Sequence, residues 1–196
     1  MYDRMSRKTE EAGLRDMRRG LLAEASGSVL EIGGGTGANL AHYDDKVESL
    51  VLTEPEPAML RRLQSKAGEQ APLAKILQAP AEDLPFENAS FDTVVSTLVL
   101  CGVDDPARSV REIRRVLKPG GRLLFLEHVR SDDPALARFQ DRINWLNRLV
   151  VDCDCNRPTL ATIEAAGFTV ARLEQTTTPK APKFTRPMIV GTAVAG

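Results

Sequence analysis

Apolar residues along the chain alternate between a helical period and short unbroken runs. Leu14, Met17, Leu21 and Leu22 recur at helical spacing with Arg15, Arg18 and Arg19 opposite, which predicts an amphipathic helix within the polar residues 1–26. Ser26-Gly27-Ser28 breaks it, and residues 29–32 form a first strand. The stretch after Gly37, with Leu40 and Tyr43, reads as a helix, and residues 49–53 as a second strand. Pro57 then starts a helix striped by Met59, Leu60 and Leu63, followed by a loop at 68–72 and a third strand at 73–78. Residues 79–90 are irregular, broken by Pro80 and Pro85. Residues 91–100 make an apolar, β-branched run of the kind that fills a central parallel strand.

Asp104-Asp105-Pro106 opens a helix that buries Val110, Ile113, Val116 and Leu117. Lys118-Pro119-Gly120-Gly121 stops it before a fifth strand at 122–127. Residues 134–150 form another amphipathic segment, with Phe139, Ile143, Leu146 and Val150 on one face and Trp145 at its border. A helix at 158–166 ends at Gly167, and strands follow at 168–173 and 187–194. Five strands alternating with helices predict an α/β fold whose parallel sheet is covered on both faces. The last two strands, joined without an obvious helix, predict an antiparallel pair at one edge of a mostly parallel seven-stranded sheet.

Composition narrows this little. At 196 residues, with 42% hydrophobic and 27% charged, residues 1–196 read as one globular domain. A net charge of −1 gives no electrostatic case for nucleic acid or an anionic membrane. The arginine clusters carry interleaved acids and read as solvated helix faces. Three cysteines, an odd number, argue against a disulfide framework. The start of the chain has no signal-peptide pattern, and no run reaches the ~20 apolar residues of a membrane span, so a cytoplasmic protein is expected.

The chemistry gathers at Val29-Leu30-Glu31-Ile32-Gly33-Gly34-Gly35-Thr36-Gly37, a strand running into a glycine turn. Such turns let the backbone approach a nucleotide-like ligand. Gly33-x-Gly35-x-x-Ala38 also satisfies the dinucleotide fingerprint, with Glu54 where its ribose-binding acid belongs, so the turn alone leaves a nicotinamide dinucleotide open. Three features favour S-adenosylmethionine. Glu31 before the glycines suits a cationic ammonium and sits poorly beside a pyrophosphate. Ala81-Glu82-Asp83-Leu84-Pro85-Phe86 follows strand three, where an adenine can be held, and Lys118-Pro119-Gly120-Gly121 precedes strand five.

VLEIGGGTGANL, TEPEPAML, AEDLPFENASFD and REIRRVLKPGGRLLFLEH, in that order, resemble the successive motifs of class I S-adenosylmethionine-dependent methyltransferases, above all the ubiquinone/menaquinone-biosynthesis branch. STLVLCGV, LEHV, CNRPTLATIEAAGF and RPMIVGTAV extend the resemblance to the thiol S-methyltransferases of animal endoplasmic reticulum and their bacterial relatives, which also include phospholipid N-methyltransferases. The animal enzymes carry an N-terminal membrane anchor; none is expected here, so membrane attachment and lipophilic substrates are not carried over. The resemblance implies a Rossmann-like fold. It places Glu31, Gly33, Gly35 and Gly37 around the methionine moiety, Glu54 and Pro55 at the ribose, Ala81 and Glu82 at the adenine, and Leu98 under the methyl-donor site. Pro80 stands where many members have an aspartate or serine. Asp83 is the alternative to Glu82, and a solvated strand-end acid the plain alternative for Glu54.

The acceptor side is less legible. His128, just past strand five, is the candidate base or thiolate-stabilising donor, against a structural histidine; His42 reads as remote. Cys101 reads as pocket mouth or as a small buried residue. Cys153-x-Cys155 is not a common zinc spacing and has no histidine nearby in sequence, so no metal is expected. Asp152, Cys155 and Asn156 match the thiol-methyltransferase branch as pocket residues. Residues 134–157, with Trp145, read as an acceptor lid or a helix packed on the sheet, and residues 1–26 as a flap or a packed helix. The function expected is methyl transfer from S-adenosylmethionine to a small molecule, most simply a thiol. The alternatives are a phospholipid amine, a phenolic or quinone-like acceptor, a silent cofactor-binding module and, more remotely, an NAD(P)-dependent oxidoreductase.

Overall fold

Alternation along the strand Gly27–Ile32, β1, sets the layering of the molecule, of which the computed structural model describes residues 7–196. The polar start at 1–6, where the signal-peptide reading begins, lies outside the described residues. Leu30 and Ile32 enter one buried cluster and Val29 the other, because alternate side chains leave opposite faces of a strand. The first cluster takes in Val110, Ile113 and Val116 from α3 (Pro106–Val116) and Ile163 from α5 (Thr159–Ala165). The second takes in Leu21 and Leu22 from α1 (Arg15–Leu22), which a π-helical turn at Glu10–Leu14 precedes.

The remaining strands are β2 (Val47–Thr53), β3 (Lys75–Leu77), β4 (Phe91–Thr97), β5 (Leu117–His128), β6 (Phe168–Thr177) and β7 (Pro187–Ala195). They form a seven-stranded sheet in the order β3-β2-β1-β4-β5-β7-β6. The first five pair in parallel, and β7 inserts antiparallel between β5 and β6, as the closing pair of strands predicts. Sheet growth reverses between β1 and β4. In such sheets the crevice outside the strands' carboxyl ends at that reversal is where ligands bind.

Helix starts follow local chemistry. Glu56, Asp105 and Asp133 each accept a backbone N–H of the following turn with their own side chain, each with proline in the first turn. These open α2 (Pro57–Gln70), α3 and α4 (Pro134–Val151).

Several local expectations change. The stretch after Gly37 forms only a 3-10 turn at Leu40–His42, because residues 33–46 must hold both the glycine turn and the return to β2. Helix α2 runs through Gly68 to Gln70, and Leu73, expected in strand three, is 94% exposed. Strand four stops at Thr97, since Leu98 turns into the left-handed region at φ +61. Residues 118–121 loop out of the β4–β5 register.

Helix α4 departs furthest from the pattern. It buries Ala137, Gln140 and Asn147, leaving Trp145 68% and Leu149 76% exposed, and Leu146 and Val150 exposed beside them. The buried stripe is polar because backbone carbonyls opposite it need donors. Gln140 donates to the carbonyls of Cys155 (2.7 Å) and Phe184 (2.9 Å) and accepts from the Ser131 N–H, while Asn147 donates to the Cys153 carbonyl at 2.6 Å. Leu149→Ser should leave Tm within about 2 °C, since exposed substitutions stay near ~0.5 kcal/mol. Asn147→Ala unpairs a buried carbonyl and should cost about 1–3 kcal/mol in the same thermal melts.

Candidate active site

The crevice at the β1/β4 reversal is a cleft of about 810 Å³. Its floor is the carboxyl ends of β1, β2 and β4, its near wall the glycine turn, and its far wall the N-terminal segment with Arg7, Glu10, Arg15 and Arg18.

Glu31 shares the face of Val29 and so points toward α1. It is buried, accepts from the Tyr43 hydroxyl at 2.6 Å and from Asn39 Nδ2 at 3.0 Å, and lines the cleft. Burial pushes its carboxyl from the ordinary 4.5 up to about 7, against the Tyr43 hydrogen bond, the Arg18 charge and the Asn39 hydrogen bond. Arg18 donates to Glu10 (3.1 Å), Asn39 Oδ1 (3.0 Å) and Thr97 Oγ1 (2.8 Å), and is only 5% exposed. Reading Arg18 as part of a solvated face is therefore corrected: four residues from both Leu14 and Leu22, it sits on the buried face of α1, where Asn39 and Thr97 offer it acceptors from distant parts of the chain. His42, expected to be remote, also lines the cleft; burial, then Arg18, lowers its pKa.

The glycine turn brings backbone to the cleft surface. Gly33 has φ +56, and a Cβ there would stand 2.7 Å from the Val99 side chain. Gly35, at φ +57, a backbone that side chains rarely adopt, donates its N–H to Glu54 Oε2 at 2.8 Å, and a Cβ there would meet only the Gly33 carbonyl at 3.9 Å. Glu54 is buried, and its Oε1 accepts from the Glu56 N–H at 3.0 Å, so both oxygens are aimed by backbone while each keeps a lone pair. Pro55 and Ala81 line the cleft with it. Glu82 lines it too, although its Oε1 is engaged by the N–H groups of Asp104 (2.9 Å) and Asp105 (3.3 Å). Leu98 lines the cleft and has a left-handed backbone, its N–H donating to the Leu126 carbonyl at 2.7 Å. Gly37 stands behind the turn rather than on the cleft surface, packed where a Cβ would meet Leu40.

On the acceptor side, Asp152 lines the cleft, whereas Cys101, Cys155, Asn156 and Trp145 do not. Trp145 points to solvent, and Asn156 donates to Asp141. Burial pushes the Cys155 thiol up to about 11. His128 lies behind the cleft with Cys101 and Cys153: its Nδ1 stands 3.8 Å and 3.5 Å from their sulfurs, and its Nε2 3.0 Å from Thr178 Oγ1. Hydrogen bonding to Cys153, then burial, holds the Cys101 thiol well above its usual range. Glu127, which no local pattern singles out although it sits inside LEHV, is fully buried. It accepts from Ser96 Oγ (2.7 Å) and from the N–H groups of Val99 (3.1 Å) and Cys101 (3.2 Å), and so shapes the loop after β4.

A buried acid at one end of the cleft, a backbone cradle beside it and a two-oxygen acceptor one strand away suit a ligand with a cationic end and a vicinal diol. Comparisons with known proteins agree. The profile of a methyltransferase domain matches residues 30–125. The human thiol S-methyltransferase TMT1B is 35% identical over 181 residues, covering 88% of this chain and 73% of the relative. A phosphatidylethanolamine N-methyltransferase of Cereibacter sphaeroides is 31% identical over 147 residues, covering 70% and 72%. A solved S-adenosylmethionine-dependent methyltransferase from Mesorhizobium loti superposes with a TM-score of 0.68 at 21% identity, over 93% of this chain and 97% of that one, which supports the fold. Order of strands, site acids and relatives converge, and the chain belongs to the class I S-adenosylmethionine-dependent methyltransferases.

Proposed function

We propose that this methyltransferase acts on the sulfur of a small thiol. The observation that carries the reading is the 35% identity to a thiol S-methyltransferase across 88% of the chain. Glu31 would face the cationic end of S-adenosylmethionine, Gly33 and Gly35 its methionine moiety, Glu54 the ribose hydroxyls, and Ala81 and Glu82 the adenine, with Leu98 as the floor. When bound, the cofactor supplies an electrophilic methyl group on a sulfonium. The protein's own part is to hold donor and acceptor in line, a positioning effect. A thiol, with a pKa near ~8.5, needs less help to ionise than a hydroxyl. Arg18, tied into the floor by Asn39 and Thr97, supports the N-terminal segment as a fixed wall rather than a swinging flap. Val151 and Asp152 support the end of α4 as the acceptor-side rim.

Labelled S-adenosylmethionine offered with a panel of small thiols, lipid amines and phenols tests the reading: methyl thioether should be the main product. Label appearing only on the amine of a phospholipid would replace the thiol with the second reading, which the phosphatidylethanolamine N-methyltransferase relative favours.

The buried acid makes a pH prediction. Glu31 holds its proton more tightly in the fold, to about 7, than the ordinary 4.5. Its contribution to stability is therefore full below about pH 4.5 and lost as pH rises through 7. A cationic ligand end favours the ionised form. Affinity for S-adenosylhomocysteine should therefore rise with pH, by up to about tenfold per unit below ~7, and level off above it. Calorimetry across roughly pH 5.5–8.5 reads this, and Glu31→Gln should flatten the profile.

A further inference from the structure

The fold brings together three side chains that no local pattern connects. Cys101 follows β4, His128 ends β5, and Cys153 follows α4, yet their Sγ, Nδ1 and Sγ atoms all lie within 4.8 Å of one another. We propose that Cys101, His128 and Cys153 form a mononuclear Zn²⁺ site with three protein ligands and a fourth position left for an exogenous ligand.

The distances suit a tetrahedral ion. With Zn–S about 2.3 Å and Zn–N about 2.0 Å, a sulfur and a nitrogen on one tetrahedral ion stand roughly 3.5 Å apart. The two sulfurs here stand 3.8 Å and 3.5 Å from Nδ1. The imidazole is also in the right tautomer. Thr178 Oγ1 gives its one proton to the Thr185 carbonyl at 3.2 Å, so at 3.0 Å it accepts from His128 Nε2–H, which leaves the Nδ1 lone pair facing the sulfurs.

Each ligand is held from behind. Glu127 accepts the Cys101 N–H at 3.2 Å, and Asn147 donates to the Cys153 carbonyl at 2.6 Å. The Asp154 N–H donates to the Cys101 carbonyl at 2.7 Å, joining the two cysteine loops directly. Hydrogen-bonding partners of this kind orient metal ligands. A disulfide between Cys101 and Cys153 would use both sulfurs and leave Nδ1 facing no donor, whereas a borderline-soft cation uses all three atoms. The third cysteine stays outside, its Sγ 3.7 Å from Asn144 Oδ1.

Gly102 and Asp152, the chain neighbours of the two cysteines, line the cleft. That places the cluster directly behind the cleft wall, one residue from its surface on each cysteine loop, and a thiolate is the ligand class that suits zinc there, an assignment that rests on the thiol reading above. Zn²⁺ would displace the Cys101 and Cys153 protons to solvent as the two thiolates form, and a substrate thiol would lose its proton the same way as its sulfur takes the fourth position.

The test is titration of the reduced, metal-stripped protein with Co²⁺ as a spectroscopic probe and with Zn²⁺ in competition. One equivalent should bind with thiolate-to-Co²⁺ charge-transfer absorption and be displaced by Zn²⁺. Cys101→Ser and Cys153→Ser should each weaken binding at least about 100-fold, Thr178→Val about 10–100-fold, and Cys155→Ser should leave it unchanged. Substoichiometric binding by the wild-type chain, or an unchanged spectrum in both cysteine variants with native circular dichroism, would overturn the site, as would a Cys101–Cys153 disulfide that persists under reductant. A small thiol should shift the Co²⁺ spectrum, and removing the metal should slow thiol methylation. Thiol methylation undiminished in the stripped enzyme overturns the role of the fourth position. A loaded enzyme that binds metal but methylates only amines overturns the thiol reading and leaves the metal site standing.

Discussion

Glu54→Ala should weaken S-adenosylhomocysteine binding by about 100-fold or more while the chain still folds. Glu54 follows β2 with both carboxylate oxygens aimed by backbone N–H groups, of Gly35 at 2.8 Å and Glu56 at 3.0 Å. Two hydrogen bonds from ribose hydroxyls to a charged acceptor are worth roughly 1.5–3 kcal/mol each, and every ~1.4 kcal/mol is about tenfold in affinity. Glu54→Gln keeps one acceptor oxygen and should fall between the alanine variant and the wild type. Calorimetry gives the affinities and a thermal melt confirms the fold. A loss smaller than about tenfold in the alanine variant would remove the ribose clamp from the site.

The largest effect on stability should come from Arg18→Met. The guanidinium is buried among Glu10, Asn39 and Thr97, so its removal leaves the Glu10 carboxylate and two polar groups without their partner. Breaking a buried ion pair from one side costs about 3–5 kcal/mol, or roughly 6–20 °C in Tm for a chain of this size. Arg18 also holds the Glu31 carboxyl down, so the variant should raise that group further and shift the pH profile of ligand binding upward. Arg19→Met is the control. Its ion pair with Asp16 is solvent-exposed on both sides and should be worth less than about 1 kcal/mol. Equal, small losses in the two variants would mean that the Arg18 network does not hold the N-terminal segment to the floor.

The acids Glu31 and Glu54 that line the cleft are legible in the sequence because each sits near the end of its own strand. Glu31 near the end of β1 and Glu54 after β2 are placed by local alternation and a parallel sheet, whereas Leu98, read inside a strand at 91–100, follows β4 in a left-handed turn. Gly37 belongs to the same motif, but packing against Leu40 sets it behind the turn. Arg18 follows the helical period, four residues from both Leu14 and Leu22, and only its charge reads as solvent-facing. On α1 the leucine face meets acceptors on residues 39 and 97, which spacing alone does not show.

The alternation of strands and helices, the antiparallel ending and the acids Glu31 and Glu54 that line the cleft were determined by the sequence alone, since each depends on residues close together along the chain. Three things were decided only by the tertiary structure. Helix α4 turns amides inward and Trp145 outward, because Gln140 and Asn147 find backbone carbonyls of Val129, Cys153, Cys155 and Phe184 to pair with. The partners that keep Arg18 paired on the buried face of α1 come from Asn39 and Thr97, far along the chain. Cys101, His128 and Cys153 become neighbours because β4, β5 and the segment after α4 end at one edge of the sheet. Periodicity marks which side chains share a face. What covers that face, and which buried polar groups await a partner there, is set by distant parts of the chain.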